Sequence, residues 1–176
     1  ARCLTSAALL ATAIPTFAAA TVVDFESAPA LTVIGPGQSE TSYTESGVTF
    51  TPTGSDALID LSFCALGADS CIRNNNTTYL TALNGAKVTI TTQRWFNLNS
   101  FDASFFPLPA PAGLFSGSPM GLNVVGTLVD GSTLEGNVPL FEDATNPGDF
   151  IFSSYFGAGA PMLRSVTLSA CVFFGA

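Results

Sequence analysis

The chain has no histidine among its 176 residues. That absence removes Ser-His-Asp and Cys-His nucleophile activation together with imidazole metal sites, since each depends on a ring nitrogen that titrates near neutrality or ligates. What survives is chemistry that carboxylates and backbone oxygens carry alone, namely a two-acid glycoside hydrolase or a calcium site. Charge is also scarce, at 10% of residues, and thirteen acids against five bases leave a net charge of −8. Affinity for nucleic acid comes largely from Lys and Arg on phosphate, so neither DNA nor RNA is an expected partner. Long apolar runs are missing too, because sixteen Gly and eleven Pro interrupt the hydrophobic 47%. Nothing beyond residue 20 reads as a membrane span, and the chain is too apolar for disorder. No helical period of any length is present there, nor any internal repeat.

What is present is short β-type alternation punctuated by turns. The densest aromatic segment, Arg94 to Pro107, reads as a central strand. Phe96 and Leu98 share one parity, whereas Phe101, Ala103 and Phe105 share the other, so a bulge is expected at Asn99-Ser100. Thr21 to Glu26 alternates well enough for a first strand, followed by a loop through Gly35-Pro36-Gly37. Two short strands are expected around Gly47, within Tyr43 to Pro52. Tyr79–Ala82 and Lys87–Thr92 read as paired strands joined by a tight turn at Asn84-Gly85, and Asp130-Gly131 is the clearest hairpin signal. The Pro-rich run from Pro107 to Gly113 is a surface loop, since Pro cannot feed a ladder. Phe150–Phe156 and Ser165–Phe173 supply the last two strands, with Val166, Leu168, Ala170 and Val172 on one face. Length and pattern together give one all-β domain, an antiparallel β-sandwich.

Residues 1–20 have the form of a signal peptide without its start: Arg2, an apolar stretch around Leu9 to Ile14, and small residues ending at Ala20. The competing reading is a buried amphipathic helix. Cleavage would leave residues 21–176 as the mature domain. In an exported chain, Cys64 and Cys71 close a small loop and are expected to form a disulfide; two thiolate metal ligands are the weaker alternative, for want of partners. Asn74-Asn75-Asn76-Thr77-Thr78 is a solvated loop that also fits the N-glycosylation pattern.

Four pieces together resemble the bacterial secreted proteins that end in a PEP-CTERM sorting signal: Val22-Val23-Asp24-Phe25-Glu26, Ser46-Gly47-Val48-Thr49-Phe50, Phe101 to Leu108, and Leu163 to Cys171. The resemblance implies a jelly-roll-like β-sandwich, export, and sorting to the cell surface or extracellular matrix where the tail is present. It implies no catalytic residue. The sequence stops at Ala176 before any Pro-Glu-Pro motif. With Cys171 left over and a strand running almost to the last residue, a domain truncated at its C-terminus is expected.

Candidate sites follow from residue chemistry. Asp24 and Glu26, two apart on the expected first strand, would share a face and could help hold a structural calcium ion, or else form a charged edge pair. Asp102, inside the aromatic segment, needs solvent, a base such as Arg94 or Arg164, or a cation. Paired with Glu135 or Glu142 it would give the alternative function, a carboxylate-dependent glycoside hydrolase, which needs two acids roughly 5–10 Å apart across a cleft. Trp95, Tyr43, Tyr79 and Tyr155 are candidate platforms for stacking an extracellular polysaccharide, against the plainer expectation that they pack in the core or at its rim.

Overall fold

The computed structural model describes residues 20–29, 31–60, 78–104, 120–141, 153–156 and 161–172. Every regular element among them is a strand: β1 (Thr32–Ile34), β2 (Tyr43–Glu45), β3 (Val48–Thr53), β4 (Ala57–Asp60), β5 (Tyr79–Ala82), β6 (Lys87–Phe96), β7 (Ser100–Ala103), β8 (Met120–Leu128), β9 (Thr133–Pro139), β10 (Ser153–Phe156) and β11 (Leu163–Val172). All pairings are antiparallel, in a six-stranded sheet of order β2-β3-β6-β11-β8-β9, a three-stranded sheet β1-β4-β5 and a pair β10-β7. No helix among the described residues is long and apolar enough to cross a membrane.

The large sheet is amphipathic because its central strands alternate. Val88 and Ile90 of β6, Phe50 of β3 and Val166 of β11 are buried, while Thr89, Thr91, Thr49, Thr51, Ser165 and Thr167 between them keep partial access to solvent. The buried set, joined by Leu163, is covered by Leu80 of β5 and by Val23 and Phe25 from the segment before β1. Burial of each such side chain is worth about 1.5–3 kcal/mol. The smaller sheet has its own apolar centre at Ile34, Ala57, Leu58 and Ile59. At the far end Met120 and Leu140 pack with Ala103 and Tyr155, which brings the β7–β10 pair onto β8. The fold is thus an antiparallel β-sandwich. The finer jelly-roll order depends on connections through 61–77, 105–119 and 142–152, which lie outside the described residues.

Two hairpins stand where turn chemistry places them. Ser46 and Gly47 both have positive φ, 51° and 79°, and join β2 to β3 in a type I′ geometry whose twist suits the strands. Between β8 and β9 only Gly131 is left-handed, with φ 90°. The Gly131 N–H donates to the Leu128 carbonyl at 3.0 Å, so the connection is a type I turn followed by a left-handed glycine. Pro52 lies on β3 past the last β2 partner, Tyr43 opposite Phe50, so its missing N–H costs no ladder bond.

Three expectations are corrected. Thr21 to Glu26 is not a strand: Phe25 has φ 60°, and the Ala28 N–H turns back to its carbonyl at 3.0 Å. The Asp24 carboxylate captures the Glu26 N–H that a ladder would need, and the Phe25 ring turns inward onto Phe50, with centroids 4.9 Å apart. The Asn84-Gly85 turn exists, with φ 49° and 75° and an Ala86 N–H to Leu83 carbonyl bond of 2.8 Å, but it does not pair its flanking strands. β5 pairs with β4, and β6 with β3 and β11, so the turn passes the chain from one sheet to the other. Likewise Arg94 to Pro107 is not one bulged strand. Arg94–Phe96 completes β6, residues 97–99 leave the ladder, and β7 pairs with β10 in a different sheet. The parity switch at Asn99-Ser100 therefore marks a change of sheet.

Candidate functional site

Where β6 meets the start of β11 the ladder breaks on both sides. Thr91 faces Ser165 and Phe96 faces Leu163, so Arg164 alone stands opposite the four residues from Thr92 to Trp95. On its other side, Leu163 and Ser165 face Leu128 and Thr127, which makes Arg164 the extra residue there. The Thr92 hydroxyl donates to the Arg94 carbonyl and closes the bulge on itself. A regular pleat would bury every second residue; the bulge instead exposes Gln93, Arg94 and Trp95 in succession.

Trp95 is 58% exposed and Met162, leading into β11, is 44% exposed. With Gln93 and Arg94 they line an open depression of about 450 Å³. Among the described residues the lining combines a flat aromatic, a thioether, one cation and one amide, with no carboxylate. Such a surface can cover an apolar ring face with the indole and meet ring hydroxyls with the guanidinium and amide donors.

The other three aromatic candidates are engaged in the fold and do not join Trp95. Tyr79 is only 7% exposed and belongs to the core, because β5 turns it into the sandwich. Tyr43 is half-buried with its ring tilted against Phe25. Its hydroxyl lies 3.0 Å from the Ser27 hydroxyl and donates to Glu45 Oε2 at 3.2 Å. Burial, reinforced by the Glu45 charge, pushes the Tyr43 phenol above its ordinary value, partly offset by the Ser27 contact. Tyr155 is half-buried, stacked on Phe101 at 5.3 Å, and donates to the Pro139 carbonyl.

The carboxylates are similarly dispersed. Asp24 precedes the Phe25–Ala28 turn and Glu26 lies within it, so the two do not share a strand face, and the Glu26 carboxylate accepts both the N–H of Thr78 at 2.9 Å and its hydroxyl at 3.2 Å. No group of three or more Asp, Glu, Cys or His that could hold a metal occurs among the described residues. Asp102 on β7 faces solvent, the first of the outcomes expected for it. Glu135, on β9, accepts Asn123 Nδ2–H at 2.7 Å, and Glu142 lies outside the described residues. Asp102 and Glu135 thus stand on strands of different sheets. Asp130 accepts the Ser132 hydroxyl and N–H, which hold its carboxyl below the usual aspartate range. Cys64, Cys71 and the Asn74–Thr77 tract also lie outside the described residues. The Cys171 thiol is free and sits 3.9 Å from Asn137 Oδ1.

The sequence marks Trp95 but not its neighbours Gln93, Arg94 and Met162, which come together only through the pairing of β6 with β11. The hydroxyl face of the large sheet also passes unnoticed, although its signal is local: Thr49-Phe50-Thr51, Thr89-Ile90-Thr91 and Ser165-Val166-Thr167 each set hydroxyls on one parity and apolar residues on the other. Fold and site define an all-β antiparallel sandwich with an exposed aromatic depression. No family model, curated protein or solved structure matches the chain.

Proposed function

We propose that this protein is an exported, non-catalytic β-sandwich of the bacterial cell surface or extracellular matrix that binds a glycan, with Trp95 as the stacking platform. The observation that carries the reading is the exposure of Trp95, 58%, at a bulge that also presents Gln93 and Arg94. The indole removes sugar C–H surface from water, and the two polar side chains fix the ring by its hydroxyls. Export rests on the pattern of residues 1–20, and surface sorting on the PEP-CTERM resemblance. The hydrolase reading gains no support from the described residues, among which no carboxylate lines the depression and Asp102 and Glu135 stand on strands of different sheets.

Affinity electrophoresis of the full chain through gels cast with individual polysaccharides tests the reading. Wild type should be retarded by at least one polymer, and Trp95→Ala should lose at least about 2 kcal/mol, roughly 30-fold in affinity, as an aromatic anchor does. Equal retardation of the two proteins, or none in any gel, would overturn it.

A further inference from the structure

Six hydroxyl side chains, one from each strand, form a single row across the large sheet. Thr44 faces Thr49, Thr49 faces Thr91, Thr91 faces Ser165, Ser165 faces Thr127, and Thr127 faces Thr133. On β3, β6 and β11 the adjoining residues Phe50, Ile90 and Val166 are buried, so the row lies on the face away from the core. Thr44 and Thr133 are exposed and the four between them partly so. Two residues along, Thr51, Thr89 and Thr167 begin a parallel row. Hydroxyls already touch within these rows, Thr44 to Thr49 at 2.9 Å and Thr89 to Thr167 at 3.1 Å. Because a hydroxyl donates once and accepts twice, each retains capacity for a ligand.

The geometry selects the ligand. Strands about 4.8 Å apart space the six hydroxyls over roughly 24 Å, with the next row about 6.8 Å away. Adjacent strands rotate by about 20–25°, so the row turns through roughly 100° from edge to edge. A rigid planar lattice cannot touch all of it, whereas a single flexible polymer chain laid along the row can turn with it. The first row contains no charged side chain, and the protein carries a net charge of −8, which repels a polyanion. Threonine offers the polymer both a hydroxyl and a methyl. The bulge that carries Trp95 begins at Thr92, one residue past the row on β6.

We infer that the row from Thr44 to Thr133 is the track for one neutral, hydroxyl-rich polysaccharide chain lying across the strands. This rests on the glycan-binding reading and adds to it the class of the polymer, its direction and its length. Calorimetric titration of the full chain tests it, using neutral tri- and hexasaccharides of glucose, mannose and galactose, and hexagalacturonate. At least one neutral hexasaccharide should bind tenfold or more tightly than its trisaccharide. The Thr49→Val/Thr91→Val/Ser165→Ala variant, which keeps side-chain shape while removing three hydroxyls, should bind that hexasaccharide at least tenfold more weakly. Equal affinity for trimer and hexamer, or an unaffected triple variant while Trp95→Ala loses binding, would overturn the track and leave the stacking reading standing. Preference for hexagalacturonate would overturn neutrality alone. No binding of any sugar would overturn both readings. The length comparison in wild type decides the matter even if the triple variant folds poorly.

Discussion

Replacing Glu26 by Ala should lower the melting temperature through loss of a clamp. Glu26 reaches across to Thr78, where its two oxygens accept the backbone N–H at 2.9 Å and the hydroxyl at 3.2 Å, directly before β5. Those bonds fasten the segment carrying Val23 and Phe25, which covers the core cluster of the large sheet. Hydrogen bonds to a charged group are worth about 1.5–3 kcal/mol when sheltered, and Glu26 is exposed, so about 1 kcal/mol is the expected net loss for the pair. For a domain of this size that corresponds to a fall of about 2–4 °C. Differential scanning calorimetry with and without excess chelator separates this clamp from a calcium ligand, because an ion that binds only the folded state stabilises it by mass action. The clamp requires that chelator leave wild type unchanged and that Glu26→Ala melt lower in both conditions. Wild-type melting for the variant would refute the clamp. A chelator-induced drop seen in wild type but absent from the variant would refute it in favour of a cation site at Asp24 and Glu26.

Other perturbations follow from the same packing and electrostatics. Val166, 1% exposed at the centre of the large sheet, loses about 1.6 kcal/mol of transfer energy on truncation to Ala, and the cavity left behind raises the cost to about 2–3 kcal/mol. Urea unfolding should show a lower midpoint at unchanged slope, and a cost under about 0.5 kcal/mol would contradict this placement. Asp130→Ala should melt below wild type at pH 7. Because the folded Asp130 carboxyl is held below the ordinary 3.8, its contribution is complete above that value and fades as pH falls through the lowered one. The gap between variant and wild type should therefore close in strong acid, and equal melting at neutral pH would count against the turn. Tyr43 has the opposite sign. Its phenol is raised above 10.0, chiefly by burial, so its contribution is complete below pH 10 and is lost as pH climbs through the raised value. Tyr43→Phe should show a shallower alkaline decline than wild type, and parallel declines would refute the assignment.

What the sequence makes legible is what adjacent residues decide. Ser46-Gly47 and Asp130-Gly131 carry their turn chemistry with them, and within β11 the run Ser165-Val166-Thr167-Leu168 alternates, with Val166 buried between the partly exposed Ser165 and Thr167. Asn84-Gly85 also announces its turn, yet the partner of the strand that follows is fixed by distant contacts. Lys87 to Thr92 finds β3 and β11 on either side, and Tyr79 to Ala82 is taken by β4. β1 and β4 are three and four residues long, and β4 buries Ala57, Leu58 and Ile59 in succession, so no alternation reveals them. The same limit governs the site. Trp95 is conspicuous as the sole tryptophan, but its exposure follows from Arg164 facing four residues of β6, a register that only the paired strands define. Tyr79 illustrates the converse, an aromatic whose strand turns it inward.

Because Trp95 is the only tryptophan in the chain, its fluorescence reports the depression without any label. Titrating the intact protein with the polysaccharide that retards it in affinity electrophoresis, while following emission and quenching by iodide, tests the central claim most directly. Stacking of a sugar ring on an indole that is 58% exposed should shift its emission to shorter wavelength and protect it from quenching, saturating at the same concentration as binding. Binding that saturates while emission and quenching stay unchanged would contradict the assignment of Trp95 as the platform.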